Sequence, residues 1–232
     1  MLEDWLVAIG AAVVCGGAAY FLGPWLFKRI PEPELDEGDT KLAYRALATR
    51  RTAVWCGITG VVSGGVLGAS LGWSAPLAAW LALAVSGSVL GYVDLRTRFL
   101  PSAIIWPTYV VVALLLLAAS AGSGDWSAFV RAVVAAVVGF VVFYLLWWVY
   151  PAGIGFGDVR LSGLLSGALG WLGWSHAIVG VYGGFVLGAI LGVALTVTKV
   201  FDRKAFAFGP FMLAGALAGV VFGGPLARVY LG

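Results

Sequence analysis

The chain has 232 residues, 62% of them hydrophobic and only 11% charged, with a formal net charge of +3 and a mean hydropathy of +1.01. An average soluble domain is roughly half apolar and a quarter charged, so the composition excludes a water-soluble globular protein. The small positive balance calls for no nucleic-acid partner, because anionic inner-leaflet lipid accounts for it.

Six stretches contain no Asp, Glu, Lys or Arg: 5–27, 52–93, 99–124, 132–157, 161–198 and 205–227. A helix crossing about 30 Å of hydrocarbon needs about 20 apolar residues. Four stretches therefore hold one span each, and the two longest hold two. The first span, 5–27, follows Glu3 and Asp4 and precedes Lys28 and Arg29. A signal peptide has the opposite charge order and a shorter apolar run, so this segment reads as a retained helix with its N-terminus outside. Stretch 52–93 breaks at Trp73-Ser74-Ala75-Pro76 into spans of about 52–72 and 76–93. Spans of about 102–120 and 127–150 come next. Stretch 161–198 turns at Gly173-Trp174-Ser175, giving spans of about 159–172 and 176–199, and the last span is about 206–226. The predicted fold is all-α, a polytopic membrane helix bundle of about eight transmembrane helices in a single membrane domain over 1–232.

Alternating the loops places Lys28, Arg29, Lys41, Arg45, Arg50, Arg51, Arg96, Arg98, Arg160, Lys199, Arg203 and Lys204 in the cytosol, and only Arg131 and Arg228 outside. That bias sets the orientation by the positive-inside rule. Trp73, Trp126, Trp171 and Trp174 fall near the outer boundary, where indoles prefer to sit. Glycines repeat every four residues at 184, 188 and 192, at 60 and 64, and at 163 and 167, a spacing that lets helix backbones approach closely in lipid. Cys15 and Cys56 lie in different spans with no second cysteine nearby, so they read as buried, inert thiols. His176, the only histidine, falls near the outer face and receives no catalytic role.

The eleven acids divide cleanly. Glu3, Asp4 and Asp125 belong outside; Glu32, Glu34, Asp36, Glu37 and Asp39 crowd the cytosolic loop 28–51; Asp202 precedes Arg203 and Lys204. That leaves Asp94, in Gly91-Tyr92-Val93-Asp94-Leu95-Arg96, and Asp158, in Pro151-Ala152-Gly153-Ile154-Gly155-Phe156-Gly157-Asp158. Both abut charge-free spans at the cytosolic edge. An ionisable group there is a functional candidate, because burying it in lipid costs several kcal/mol. Taken singly, Asp158 has the position of a helix N-cap, and Asp94 that of an interfacial partner for Arg96 or Arg98. The three glycines before Asp158 allow unusual backbone angles or a close approach. Taken together, the two acids suggest a carboxylate pair.

Gly155-Phe156-Gly157-Asp158 matches the G-x-G-D signature of the membrane aspartyl proteases. With Asp94 followed by Pro101, and Lys204 followed by Phe208-Gly209-Pro210-Phe211, the chain resembles the type IV prepilin peptidases over about residues 53–225. The resemblance implies a peptidase core there, with Asp94 and Asp158 catalytic. It implies that Gly155, Gly157, Pro101, Lys204, Phe208, Gly209 and Pro210 shape the site. Family members often have Pro where this chain has Ala207, and Asn where it has Ser102. Bifunctional members also carry two CxxC pairs between the first helices and methylate the new N-terminus. Loop 28–51 has no cysteine, so the short form without methyltransferase activity is expected, with neither metal nor cofactor.

An aspartic endopeptidase needs one carboxylate to take a proton from water and one carboxylic acid to protonate the scissile carbonyl. Two close carboxyls share a proton and titrate as a coupled pair. Asp158 begins a helix and Asp94 ends one, so the helix dipoles favour Asp158 as base and Asp94 as acid. The resemblance implies a prepilin or pseudopilin substrate, cut at the cytosolic face of the inner membrane between a basic leader and an apolar helix. The acidic run Glu32 to Asp39 either attracts that leader or is a solvated loop. Two other readings stay open: a small proton- or cation-coupled transporter, and an inactive scaffold of pilus or secretion machinery. Transporters usually place their acids near the bilayer midplane, which disfavours the first. The oligomeric state is not legible.

Overall fold

The computed structural model describes residues 2–32, 43–151, 153–197 and 207–231. It is all-helical. Among the described residues eight α-helices follow in order: α1 (Leu2–Arg29), α2 (Arg50–Leu71), α3 (Leu77–Thr97), α4 (Ser102–Ser123), α5 (Trp126–Val149), α6 (Phe156–Leu172), α7 (Trp174–Val197) and α8 (Gly209–Leu231). A short 3-10 helix, Tyr44–Leu47, precedes α2. The helices group into two compact units, Met1–Val112 and Ala113–Gly232, with the boundary inside α4.

Among the described residues six helices, α1 to α5 and α8, are long and apolar enough to cross a membrane. The fold is thus a polytopic membrane helix bundle. The expected eight spans correspond to the eight helices, but α6 has 17 residues. At 1.5 Å per residue it is about 25 Å long, short of the hydrocarbon thickness. Its environment explains this: α6 is buried along nearly its whole length among the helices of its own unit. A helix not facing lipid need not match the lipid. In the first unit α3 is the most buried candidate span, with 67% of an 18-residue apolar window buried against 39% or less for the others.

Helix ends obey local chemistry. Thr49 caps α2 by accepting the Thr52 amide at 3.2 Å, and Asp125 caps α5 by accepting the Ala128 amide at 3.0 Å. Helix α3 ends at Arg98, whose φ of 55° is left-handed and whose amide donates to the Asp94 carbonyl at 2.7 Å. Arg131, assigned to the outer side by its sequence position, points its guanidinium at the end of α6. There Nε donates to the Gly170 carbonyl at 2.7 Å and a terminal nitrogen to the Trp171 carbonyl at 2.8 Å. Those carbonyls have no partner within their helix, and the cation also suits the negative dipole end. Trp73, Trp126, Trp171 and Trp174 all lie at or beside helix ends.

Glycine sets the helix spacing. A Cβ on Gly60, Gly64 or Gly68 of α2 would fall 2.5–2.7 Å from Cys15 O, Ala11 O or Ala8 Cα of α1. Likewise Gly167 meets Ala136 Cβ at 3.0 Å between α6 and α5, and Gly184 meets Met212 Cα at 3.2 Å between α7 and α8. The sequence reading anticipated Gly60, Gly64, Gly167 and Gly184. It missed Gly215, Gly219 and Gly223, which put α8 against Gly180, Gly184 and His176 of α7. His176 is therefore a packing partner of Gly223. Cys15 and Cys56 are buried free thiols.

Two expectations follow. Gly64→Val should cost about 1–3 kcal/mol through overpacking and lower the Tm in detergent. Gly65→Val, whose nearest neighbour is Ala12 Cβ at 3.6 Å, should be near neutral. At Asp125, the Ser127 hydroxyl, then the Ala128 amide and the Arg131 charge, hold the carboxyl below its ordinary value of 3.8. A lowered native pKa stabilises above the ordinary value and loses that contribution as pH falls through the lowered one. Asp125→Ala should therefore lower the Tm at pH 7, and thermal scans should show the difference shrinking below pH 3.8.

Candidate active site

The acids singled out in the sequence sit on the two most enclosed helices, one in each unit. In the first unit, Asp94 occupies the last turn of α3 and is 4% exposed. The chain turns sharply just after it. Arg98 takes the left-handed conformation, and the buried Thr97 hydroxyl donates to the Val93 carbonyl at 2.8 Å and the Phe99 carbonyl at 3.3 Å. Pro101 stands just before α4, its carbonyl accepting the amides of Ile104 and Ile105 at 3.0 and 3.2 Å. A proline suits that position because it lacks the amide that a helix start leaves unpaired.

Glu32 and the 3-10 helix complete this region. Glu32 Oε2 accepts the Tyr44 amide at 2.6 Å, and Oε1 accepts the Arg45 amide at 3.0 Å. One acid of loop 28–51 is thus a structural clamp. Glu34, Asp36, Glu37, Asp39 and Lys41 lie outside the described residues. The Tyr44 side chain is buried. Burial, then the negative charges of Glu32 and Asp94, push its phenol well above the ordinary range. Nothing in the sequence signalled Tyr44, which stands fifty positions from Asp94 in an unpatterned loop.

In the second unit, Asp158 is 8% exposed and lies in the first turn of α6. It is not the N-cap that its sequence position implied. The helix begins three residues earlier than expected, at Phe156, and Gly155 is the cap residue with φ −72° and ψ 143°. Asp158 instead reaches back, its Oδ2 accepting the Gly155 amide at 3.2 Å. The Gly155 carbonyl receives the Asp158 amide at 2.9 Å. This is the reach-back half of a capping box, with a carboxylate at the positive end of the helix dipole.

The glycines of this loop do not adopt positive φ; the only described glycines that do are Gly72, Gly124 and Gly173. Their reason is space. A Cβ on Gly155 would lie 3.2 Å from Asp158 Oδ2, and one on Gly153 would overlap the Tyr150 ring. Gly157 lies inside the first turn of α6.

Around this turn, the Arg160 guanidinium lies over the Phe156 ring at 4.6 Å, and Phe156 meets Trp147 edge-on at 5.1 Å. One turn beyond Asp158, the Ser162 hydroxyl donates to the Val159 and Gly139 carbonyls at 2.8 and 3.2 Å. That bond ties α6 to α5 directly beneath the acid. Phe208 packs on Phe185 at 5.4 Å and on Phe143 at 6.3 Å, while its carbonyl receives the Phe211 and Met212 amides that begin α8. Gly209 and Pro210 form the first turn of α8. Lys204, like Asp202 and Arg203, lies outside the described residues. Among the described residues no group of three His, Cys, Asp or Glu side chains is placed to hold a metal ion.

The model of the type IV leader peptidase family matches residues 80–193, a stretch containing both Asp94 and Asp158. Curated relatives carry the name prepilin leader peptidase/N-methyltransferase. One from Burkholderia pseudomallei is 29% identical over 176 residues, covering 72% of this chain and 53% of the relative. One from Aeromonas hydrophila is 26% identical over 170 residues, covering 69% and 54%. One from Pectobacterium carotovorum is 28% identical over 170 residues, covering 68% and 57%. The chain spans about half the length of these relatives. No solved structure matches it.

The Gly155 geometry makes a prediction of its own. Gly155→Ala forces a new methyl against Asp158 Oδ2 while leaving a backbone conformation that alanine adopts freely. The variant should fold with an unchanged Tm, and any activity that depends on the Asp158 carboxyl should fall several-fold in a turnover assay.

Proposed function

We infer, from the chain's membership of the type IV leader peptidase family, that it is a membrane endopeptidase that removes the basic leader of prepilin-like or pseudopilin-like proteins. The observation carrying this reading is that its two span-edge acids, Asp94 and Asp158, are buried at helix ends within the matched stretch 80–193. An ionisable group at the end of an apolar helix is a functional candidate by default.

The chemistry assigned to them is acid–base hydrolysis. Asp158, at a helix start and accepting an amide, suits the carboxylate that takes a proton from water. Asp94 suits the carboxylic acid that protonates the scissile carbonyl, and the tetrahedral intermediate collapses as Asp158 passes its proton to the leaving amine and Asp94 takes back a hydroxyl proton. The reading requires the two carboxyls to meet across one water in the substrate complex, where they share a proton and act as a single coupled system. Pro101, Gly155, Gly157, Phe208, Gly209 and Pro210 are assigned supporting roles: they set the turns from which the acids project or the helix starts beside them. Lys204 is assigned the same role on its sequence match alone.

The distribution of Lys and Arg supports an inner-membrane, multi-pass placement with both acids facing the cytosol. We treat residues 1–232 as one membrane domain embedded in lipid, and assign no nucleic-acid partner. Methyl transfer is not part of the reading, since the segment between α1 and α2 has no cysteine.

The test is co-expression of the parent, Asp94→Asn and Asp158→Asn with a prepilin, scoring loss of the leader by mass. Asn keeps the size and one accepting oxygen but cannot exchange the proton. Each single variant should process at least about 100-fold more slowly, the scale of a lost general acid or base. If both still clip the leader at the parent rate, the assignment fails.

A further inference from the structure

The acid–base chemistry leaves Tyr44 without a role, yet its placement is unusual. It is 1% exposed, and its hydroxyl has no hydrogen-bond partner among the described residues. An unpartnered buried hydroxyl costs roughly 1–3 kcal/mol. Phenylalanine would therefore serve the fold better at this position.

The ring is nonetheless held firmly. Glu32 receives the amides of Tyr44 and Arg45 at 2.6 and 3.0 Å, fixing the start of the 3-10 helix. The Thr52 hydroxyl donates to the Leu47 carbonyl and fixes its end. The charges of Glu32 and Asp94, added to burial, keep the proton on the phenol throughout the neutral range. It is a permanent donor. Both Glu32 oxygens are already taken by backbone amides. Asp94 is close enough to act on the phenol through its charge, yet the phenol is not bonded to it. A buried donor within reach of an acid's charge, and not engaged by it, is left for a group that the folded chain itself does not supply.

A basic leader offers two kinds of group. Its ammonium and guanidinium groups are donors and pair with carboxylates; its acceptors are backbone carbonyls. We propose that Tyr44 is a substrate-binding residue of the Asp94 region, its O–H donating to a peptide carbonyl of the leader segment presented to Asp94, with Glu32 as the positioning residue that holds the turn. This deepens the peptidase reading and rests on it.

The test uses the full chain in detergent with a purified prepilin, comparing the parent with Tyr44→Phe and Asp94→Asn in turnover and thermal stability. Tyr44→Phe deletes only the donor. It should lower kcat/KM about 10–100-fold, the scale of one lost hydrogen bond to a bound group, while the Tm holds or rises. A kcat/KM within twofold of the parent overturns the proposal. So does a fall in Tm parallel to the lost activity, which would mark a structural phenol. Asp94→Asn separates the two levels. If it still cleaves, the catalytic reading fails and the inference about Tyr44 with it. If it is inactive while Tyr44→Phe is fully active, only the role of Tyr44 is lost.

Discussion

Close contact between helix backbones across glycine is the constraint on which the rest of this protein depends. Lipid offers no hydrophobic drive for one apolar helix to join another, so association relies on van der Waals contact at short range. The pairs α1–α2, α5–α6 and α7–α8 meet this demand with Gly60, Gly64 and Gly68, with Gly139, Gly167 and Gly170, and with Gly180, Gly215 and Gly219. The same glycines receive side chains from the enclosed helix: Leu169 of α6 lies against both Gly180 and Gly219. Small residues thus fix where α6 sits in its unit, and with it the first turn that carries Asp158.

Placing acids at helix ends is the second consequence of the lipid environment. A helix interior satisfies its own amides and has none to spare, whereas a helix start has several amides without partners. Asp158 uses one of them, on Gly155. The far end of the same helix shows the mirror solution, with Arg131 serving the carbonyls of Gly170 and Trp171. Asp94 stands where α3 unwinds through the left-handed Arg98. In each place the polar group lies where the backbone itself turns polar.

The loop between α1 and α2 shows what one acid of the run does. Glu32 is committed to two amides of the 3-10 helix and so acts as a fastener. The turn it holds carries Tyr44 into the neighbourhood of Asp94. Net charge in such a loop is therefore a poor guide to its use, because a carboxylate that grips backbone amides is unavailable to a passing ligand.

Much of this protein follows from its order of residues. Charge-free runs force helices, because a chain in lipid must satisfy its amides internally. The positions of Asp94 and Asp158 beside those runs already mark them as exceptional, and G-x-G-D together with Asp94-to-Pro101 carries the resemblance to the type IV leader peptidases. Periodicity also exposed the glycines at 60, 64, 167 and 184. Other features required three dimensions. Whether Asp158 caps its helix or reaches back to Gly155 turns on where α6 begins, and helix starts shift by a few residues with tertiary context. The enclosed position of α6 depends on α5, α7 and α8 packing around it, and the row 215, 219, 223 matters only because α7 lies against it. Tyr44 comes near Asp94 through the folding of a loop with no apolar rhythm to read. Sequence patterns report what each segment does to water and lipid; which segment meets which is decided by packing between parts of the chain far apart in number.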